Sequence, residues 1–429
     1  MIKICRYIII LGCICYIFSC HQNKAFDRES LLTHYKQPED SFKRKALAFI
    51  LDNIDDQNSA IPTFIDLHTE KIVSFDISSI KNDALFLQTM KRFYIKPYIR
   101  MISDTLIVNN TFLLNNIDLA FEQWNKFPWA DSVPLDIFLN YLLPYKIFGE
   151  EPSKWRTFFT NKNQNLVSEI LSRPESDSIK QSANAIYYYS LENDLDDWFV
   201  YNPNPVRLTQ YPGFRELMAM KSGDCFGWAY LEVMVLRSLG IPSTIDYIPV
   251  WGRKNGTHCT EVFWDDEQQR LRTASGREFE YPAKVFRYTF KKQNIWTDSI
   301  IPVIKRNPFI LDFLKHDHWL DVTQEHTKTK TIEYGCNILS DFAYICVFNY
   351  GQWIPVYWGK INEGKVRFEN MGTNILYRIA IPQNNSYKLV SSIFLFDEKG
   401  NKKFFKPNLN KKINPFCVPT PVLFINNIK

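Results

Sequence analysis

The sequence lacks several features by which common classes of protein are identified. Its 429 residues contain no C-x-x-C pair, so a zinc site or a dithiol redox site has no support. No basic run stands out, and a formal net charge of +5 is slight for this length, which leaves nucleic-acid binding without support. No repeat of fixed period, no low-complexity tract and no later segment long enough to cross a bilayer is found. The chain is expected to form two or three ordinary globular domains.

Aromatic residues, by contrast, are abundant. The chain has 33 Phe, 22 Tyr and 11 Trp, which together make 15% of its residues. Such a content suits sheet-rich packing or sugar-facing surfaces, and core packing is the more common of the two.

The N-terminus has the pattern of an export signal. Lys3 and Arg6 precede an apolar run over residues 7–18, which is too short for a spanning helix and is typical of a signal peptide. The run ends Ile-Phe-Ser-Cys at residues 17–20, which resembles a bacterial lipobox with an unusually bulky Phe18. The sequence therefore predicts a signal peptide over residues 1–20, a lipid at Cys20 and a location in the cell envelope, anchored to a membrane surface. Plain secretion and an uncleaved anchor are the alternatives.

Five cysteines follow Cys20, at positions 225, 259, 336, 346 and 417. Because the number is odd, an oxidising compartment would leave at least one thiol unpaired, and Cys225 is the candidate. Cys259 follows His258 on a presumed strand, so its side chain is expected on the opposite face from His258, in the core. Pairing among the last three cysteines stays open.

Residues 221–264 carry most of the functional information. Asp224 is suited to cap a helix, and Cys225 then lies in its first turn. Apolar residues recur at helical spacing up to Gly240, which ends the helix. Residues 243–250 are expected to be extended, residues 251–257 to form a loop, and His258 to begin a second strand.

This geometry suggests a nucleophilic thiol. A cysteine at a helix N-terminus faces unpaired backbone N–H groups and the positive end of the helix dipole, and both favour the thiolate. His258 on the neighbouring strand would take the proton and hold the ion pair. The alternative is a half-buried structural cysteine beside an incidental histidine, since free cysteines are often core residues.

The same stretch resembles the transglutaminase-like superfamily, papain-related thiol enzymes in which a cysteine begins a helix and a histidine follows on a strand. The resemblance is carried by Gly-Asp-Cys at 223–225, by Leu-Arg-Ser-Leu-Gly-Ile-Pro at 236–242, and by His258 with Glu-Val-Phe-Trp at 261–264. A looser resemblance to exported lipoproteins of Bacteroidetes-type bacteria extends over much of the chain. The family implies that Cys225 is the nucleophile and His258 the base.

One departure from the family concerns the aspartate that usually orients the histidine from the next strand. A turn at residues 266–268 would place residues 274–278 roughly opposite His258, and this segment contains no aspartate. Ser275 is near the usual position, and Glu278 would replace it only with a shift in register. Asp265 and Asp266 are expected to be solvated in the turn. A missing orienting group would weaken catalysis, or would mark a homologue that binds without reacting.

The regions before the thiol are expected to be helical, with a loop just upstream of it. A helix is predicted over residues 41–53, and an aromatic helical region over 128–159 is expected to pack against the thiol helix. The proline-containing loop at 197–214 is a candidate wall of a substrate groove, with Trp198 as its candidate contact residue. The backbone N–H of Cys225 is the natural first oxyanion donor.

From about residue 301 the pattern changes to short extended runs separated by turn signals. The runs cover residues 331–336, 342–348, 353–358, 365–369, 375–381, 389–396 and 403–405. This spacing predicts an all-β sandwich. His316 and His318 alternate just before it, but two ligands without a third make a weak metal site. Trp353, Tyr357 and Trp358 suit either a carbohydrate-stacking surface or packing between sheets, and packing is more common.

Together these observations predict an α+β protein with a transglutaminase-like (papain-like) domain over residues 28–300 and an all-β sandwich over 301–429. The first hypothesis for its function is a thiol hydrolase or acyltransferase that acts on amide bonds, closer to a peptidase than to a crosslinking enzyme. The alternative is a catalytically inactive surface protein that binds glycan or peptide. A peptide or glycopeptide substrate and a membrane are the expected partners, and no cofactor, metal or nucleic acid is expected.

Overall fold

A computed structural model of the protein describes residues 26–77, 83–172, 182–183, 186, 195, 198–273, 279–293, 317–336, 340–383 and 386–405. The predicted signal peptide with Cys20 lies outside these residues, and so do Ser275, Glu278, His316 and Cys417.

Helices cover Arg28–Leu32 (α1), Ser41–Asn53 (α2), Asp83–Arg92 (α3), Asn110–Lys126 (α4), Leu135–Ile137 (α5), Trp155–Lys162 (α6), Gln164–Leu171 (α7), Phe214–Met220 (α8), Cys225–Ser238 (α9) and Thr323–His326 (α10). Strands cover Asn58–Asp66 (β1), Ile72–Val73 (β2), Ile95–Ser103 (β3), Val200–Tyr201 (β4), Ser222–Gly223 (β5), Ser243–Ile248 (β6), His258–Asp265 (β7), Arg270–Arg272 (β8), Phe286–Tyr288 (β9), Trp319–Asp321 (β10), Thr329–Gly335 (β11), Phe342–Asn349 (β12), Gln352–Asn362 (β13), Lys365–Gly372 (β14), Ile375–Gln383 (β15), Ser386–Leu389 (β16), Ile393–Phe396 (β17) and Lys402–Phe405 (β18).

A small sheet near the N-terminus, in the order β2-β1-β3, was not predicted. β1 and β3 pair antiparallel along their whole length, from Asn58 opposite Ser103 to Asp66 opposite Ile95. Each contains a proline, Pro62 and Pro97, which usually marks an edge strand or a break and so conceals a strand in the sequence. Buried side chains of this sheet and of α3 pack against the loop before α8, so the sheet supports the region upstream of Cys225.

The centre of the molecule is α9 packed on a five-stranded antiparallel sheet in the order β10-β9-β6-β7-β8. The predicted helix start at Cys225 and the strand starts at Ser243 and His258 are confirmed. Most side chains of α9 are buried, because the sheet covers one side of the helix and α6 lies against another. The last part of the aromatic region at 128–159, where α6 begins, therefore packs on the thiol helix as predicted.

Two buried arginines connect α9 and α6 to an irregular segment at residues 141–146. Arg237 Nε donates to the carbonyl oxygens of Tyr141 and Ser243, each at 2.9 Å. Arg156 Nη2 donates to the carbonyl of Leu142 at 2.7 Å. Irregular backbone leaves carbonyls unpaired, and a guanidinium with five donors satisfies several at once. The arginine of the Leu-Arg-Ser-Leu-Gly-Ile-Pro run thus has a structural role.

The C-terminal region is a single curled antiparallel sheet of eight strands, a half-barrel, which corrects the prediction of a sandwich. The strand order is β11-β14-β13-β12-β15-β17-β18, and β16 pairs with β15. On β12, Tyr344 and Cys346 pack against the first part of the chain, whereas Ile345 and Val347 line the sheet's own core. The first part of the chain therefore covers the side of this sheet on which a sandwich would have its second sheet. Alternation along the strands is the same in both cases, so the sequence pattern did not separate them.

Most predicted C-terminal strands are found, with one break. The run at 389–396 is divided between β16, which ends at Leu389, and β17, which begins at Ile393. β10 lies beyond residue 301 in sequence but is an edge strand of the central sheet, paired with β9. The division at residue 300 lies outside the described residues and stays a prediction.

The C-terminal sheet fastens the loop that precedes His258. The buried Asn349 accepts a hydrogen bond from the Gly256 backbone N–H at 3.0 Å and donates to the Lys254 carbonyl at 2.9 Å. The Tyr350 N–H donates to the Asn255 side chain at 2.8 Å. The start of β7 is therefore held by both parts of the protein. None of the helices in the described ranges is long and apolar enough to cross a membrane.

Candidate active site

The thiol of Cys225 lies at the first residue of α9, as predicted. Asp224 caps the helix, because its Oδ1 accepts hydrogen bonds from the backbone N–H groups of Phe226 at 3.0 Å and Gly227 at 3.4 Å. Cys225 is partly exposed, whereas Cys259, Cys336 and Cys346 are buried, and all four are free thiols. Among the described cysteines, Cys225 is thus the one that a substrate could reach.

A close backbone approach sets the position of the thiol. A Cβ atom on Gly223 would lie 2.9 Å from the Gly227 Cα and 2.9 Å from the Phe199 ring, so only glycine fits there. The same segment, β5, pairs in parallel with β4, with Val200 opposite Ser222. This pairing brings Tyr201, which is 58% exposed, next to Cys225.

Opposing influences act on the Cys225 thiol. Burial raises its pKa above the ordinary value and is the largest influence. The nearby backbone N–H groups of Cys259, Phe226 and Cys225 itself, and the positive charge of Arg207, act in the other direction and lower the pKa. The N–H groups expected at a helix N-terminus are therefore present, but their effect on the pKa of the thiol is smaller than the effect of burial. The resting thiol is protonated at neutral pH.

The two sides of the central sheet carry different side chains. We call the side that packs on α9 the thiol face; it carries Cys259 and Phe263 of β7 and Ile245 of β6. We call the other side the histidine face; it carries Ile248, which pairs with His258. Because side chains alternate along a strand, neighbouring residues such as His258 and Cys259 point to opposite faces. Cys259 is a core residue as predicted, and it lies on the thiol face.

His258 is surrounded by aromatic rings. Its imidazole lies 5.9 Å from the Trp251 ring at an interplanar angle of 27°, and 5.6 Å from the Phe279 ring at 88°. Both residues are within the described part of the chain, and no hydrogen bond joins the Cys225 sulfur to the His258 ring. Cys225 is thus the first residue of α9 and His258 the first residue of β7, but their side chains are not paired. Their catalytic roles stay predictions.

The charge state of His258 follows from its surroundings. Burial lowers the pKa of His258, and the nearby Lys254 ammonium lowers it further. Lys254 lies 3.9 Å from the centre of the Trp251 ring, which holds it in this position. The imidazole is therefore neutral at pH 7, and it would act as a proton acceptor rather than as half of a resting ion pair.

A buried carboxylate, that of Asp246, does lie on the histidine face, but its histidine partner is His326 and not His258. Asp246 forms two 2.9 Å hydrogen bonds with Arg287 and lies 2.6 Å from His326 Nε2. The His326 ring stacks on Phe279 at 4.6 Å, and Phe279 in turn contacts His258. Burial would raise the pKa of Asp246, but Arg287 and the bond from His326 outweigh it and lower that pKa to about 2. Packed rings, rather than a carboxylate, hold His258 in the described structure.

Two further sequence predictions have outcomes here. Asp265 was expected to be solvated but is fully buried: it pairs with Arg272 and accepts hydrogen bonds from Glu267 N at 3.0 Å and Gln268 N at 2.9 Å. A carboxylate that satisfies the N–H groups of a tight turn is more stable inside the turn than exposed. β8 pairs antiparallel with β7 as predicted, with Phe263 opposite Arg272. Ser275 and Glu278, the candidates for the position at which the family has its orienting aspartate, lie outside the described residues.

Trp198 is partly buried and packs against the main core. Its ring meets the Phe199 ring edge-on at 5.9 Å, and the Lys162 ammonium lies 5.5 Å from its centre. Its role in substrate binding stays a prediction. Tyr201 and Arg207, from the same upstream loop, interact with Cys225 electrostatically. Sequence analysis recognised the loop but not these residues, because a lone arginine among prolines carries no pattern.

The other candidate sites have structural explanations. His318 Nδ1 lies 3.1 Å from the Phe290 carbonyl, and no group of three or more His, Cys, Asp or Glu residues suited to a metal occurs within the described ranges. Trp353, Tyr357 and Trp358 are half-buried and pack against the main core. This position agrees with the packing interpretation of these aromatic residues.

Residues 164–271 match the transglutaminase-like superfamily. The matched segment runs from α7 to β8 and contains Cys225 and His258, so the chain includes a core domain of this kind within a mixed α+β structure. No curated protein matches the chain. The matched segment excludes the N-terminus, so it carries no information on export or lipid attachment.

Proposed function

We propose that the protein is a cysteine-dependent enzyme that acts on amide bonds, with Cys225 as nucleophile. The observation that carries the proposal is a partly exposed thiol at the first residue of a capped helix, with backbone N–H groups close enough to lower its pKa, inside a transglutaminase-like core. These donors stabilise negative charge as it develops on the sulfur or on a carbonyl oxygen. Hydrolysis of peptides is the preferred reaction, ahead of crosslinking.

The proposed reaction has two steps. The sulfur attacks the amide carbonyl carbon, the C–N bond breaks, and the amine leaves with the proton that the thiol gave up. The resulting thioester passes to water, which gives a carboxylate, or to a second amine, which gives a new amide. His258 is the proposed carrier of the proton, because its neutral ring can accept one at pH 7. Such a role requires the ring to reach the sulfur during turnover.

The surroundings of the thiol favour an extended peptide over a compact small molecule. Tyr201 is 58% exposed and lies beside Cys225, where it offers an open aromatic surface. A small open cleft lies next to the first turn of α9 and is lined in part by Pro205, Arg207 and Asp224. Because the cleft is open rather than an enclosed small-molecule pocket, it suits a single side chain of a longer substrate.

We further propose that the protein acts in the cell envelope, held by a lipid at Cys20. The support is the sequence pattern of residues 1–20 alone. Labelling with an alkyne-bearing palmitate in a bacterial host, with Cys20→Ala as control, tests this. Label that persists in the variant would contradict the proposal.

The second candidate is a surface protein that binds peptide or glycan without reacting. It is favoured by the missing hydrogen bond between Cys225 and His258 and by the raised pKa of the thiol. Both features describe a resting cysteine that is not activated.

The test uses casein as amide substrate and dansylcadaverine as amine, with Cys225→Ser and with Cys336→Ser as a matched buried-thiol control. Cleavage of casein that is lost only in Cys225→Ser supports the hydrolase. Incorporation of the amine that is lost only in Cys225→Ser supports acyl transfer. If wild type and Cys225→Ser behave alike in both assays, the enzyme proposal fails and the binding protein takes its place.

A further inference from the structure

Arg207 reaches the first turn of α9 from the loop between β4 and α8. Its guanidinium forms an ion pair with the Asp224 carboxylate, and its side chain is 12% exposed. The same guanidinium lies 5.1 Å from the centre of the Phe226 ring. Asp224 and Phe226 are the two chain neighbours of Cys225, so the guanidinium spans the thiol-bearing residue.

The groups around the sulfur come from four elements. The titratable and charged side chains that interact with Cys225 are Tyr201 of β4, Arg207 of the upstream loop, Tyr247 of β6 and Cys259 of β7, with Asp224 adjacent in the chain. Glu216 of α8 acts on Arg207 from the other side. His258 begins β7 on the histidine face, where its contacts are Trp251, Phe279 and Lys254. Among the described residues, the positive charge that acts on the sulfur is therefore that of Arg207.

We propose that Arg207 is the positioning residue that supplies the positive charge for the Cys225 thiolate, in the place that sequence analysis assigned to the His258 imidazolium. The inference takes the proposed nucleophilic role of Cys225 as its starting point. The thiol proton leaves to a base, and the guanidinium stays protonated throughout because its own proton affinity is too high for transfer. Arg207 thus stabilises the nucleophile and takes no part in proton movement.

Asp224 competes with the thiolate for this charge. Its carboxylate caps α9 through Oδ1 and pairs with Arg207 through Oδ2. Asparagine caps helices about as well as aspartate but carries no charge. Asp224→Asn is therefore expected to keep the helix start while leaving the guanidinium free to face the sulfur, so that Cys225 ionises more readily.

The experiment measures the rate of iodoacetamide alkylation of Cys225 from pH 5 to pH 10 on the full chain, with labelled peptides identified by mass spectrometry. Arg207→Gln is expected to raise the midpoint pH by about one unit, which is about tenfold slower labelling below the midpoint. Arg207→Lys keeps the charge and is expected to stay within a few tenths of a unit. Asp224→Asn is expected to lower the midpoint, and His258→Gln to leave it unchanged.

Two results would overturn the proposal. One is a midpoint that rises in His258→Gln but not in Arg207→Gln, which would restore the Cys–His ion pair. The other is an Asp224→Asn midpoint equal to or above that of wild type, which also decides the matter if Arg207→Gln fails to fold. Alkylation reports the charge on the sulfur without turnover. If the casein assay shows no amide chemistry that depends on Cys225, but the alkylation midpoint depends on Arg207, the proposed function is contradicted and this inference still holds.

Discussion

The two faces of the central sheet, one residue apart along β7, have opposite electrostatic designs. On the thiol face a partly exposed sulfur lies among backbone donors and one guanidinium that is shared with Asp224. On the histidine face the buried Asp246 has three hydrogen bonds with two side chains, Arg287 and His326. Within the described residues, the His258 side chain lies among aromatic rings and near the Lys254 charge. The first arrangement leaves charge available for a reaction, and the second uses its charge for stability.

The comparison shows that a motif places residues along the chain, whereas the pleat of the strand decides which of them meet. Cys225 and His258 begin adjacent elements, as in papain-related enzymes. The backbone N–H of Cys259, rather than the imidazole of His258, is among the groups that lower the pKa of the Cys225 thiol. Four substitutions test how far the two faces differ.

The largest effect is expected from Arg287→Met on the histidine face. It leaves the buried Asp246 carboxylate without its main partner, and breaking a buried ion pair costs about 3–5 kcal/mol of unfolding free energy. Urea denaturation followed by circular dichroism measures this. The double variant Asp246→Leu with Arg287→Met should recover part of the loss, because no charge is then stranded. The exposed pair Lys328 with Glu398, 3.7 Å apart, is the control, and Lys328→Met should change stability by less than about 0.5 kcal/mol. A loss below about 1 kcal/mol in Arg287→Met would show that Asp246 finds another partner.

On the thiol face, Gly223→Ala is expected to lower the unfolding free energy by about 3 kcal/mol, the upper end of the range for overpacking. The added methyl group would meet the Gly227 backbone and the Phe199 ring, each at 2.9 Å. It would also displace Cys225, so alkylation of the thiol should change as well. Gly335→Ala is the matched control, since a Cβ there meets nothing within 4 Å. Equal stability of the two variants would mean that β5 moves away from α9 without penalty.

The pH dependence of stability separates the faces further. The pKa of Asp246 falls from 3.8 to about 2 on folding, so the stabilisation is complete above about pH 4 and is lost as the pH falls toward 2. This shift corresponds to about 2 kcal/mol. Urea unfolding at pH 5 and pH 3 should therefore show a steeper loss in wild type than in Asp246→Asn. Parallel pH profiles in the two proteins would contradict the assignment.

The smallest effect concerns the charge beside His258. Lys254→Gln removes a positive charge that lowers the pKa of His258, so that pKa should rise, by less than about one unit because burial is the larger cause. Titration of the imidazole proton signals by NMR measures the change. Arg253, which lies 3.6 Å from the Tyr281 ring, offers a neighbouring control, and Arg253→Gln should leave the His258 titration in place. A His258 pKa that falls in Lys254→Gln would have the wrong sign for this account.

Much of the local structure could be predicted from the sequence because its causes are local. A capping aspartate, helical spacing of apolar residues and a terminal glycine define α9 within a few residues of Cys225. Alternation and turn residues likewise mark most C-terminal strands. The prediction failed where a local signal was ambiguous: prolines concealed β1 and β3, and one continuous run concealed the break between β16 and β17. Asp265 was expected in solvent because its partners, the turn N–H groups and Arg272, appear only once the turn has closed.

The sequence by itself determined the thiol helix, the strand that follows it and the transglutaminase-like pattern around them, since each depends on residues a few positions apart. Only the tertiary structure decided that Arg207 reaches Cys225, that His258 lies among rings on the other face, and that the C-terminal strands form one curled sheet. These outcomes depend on which distant segments come together and on the register in which they pair. A shift of one residue in that register exchanges the faces of a strand without changing its sequence pattern.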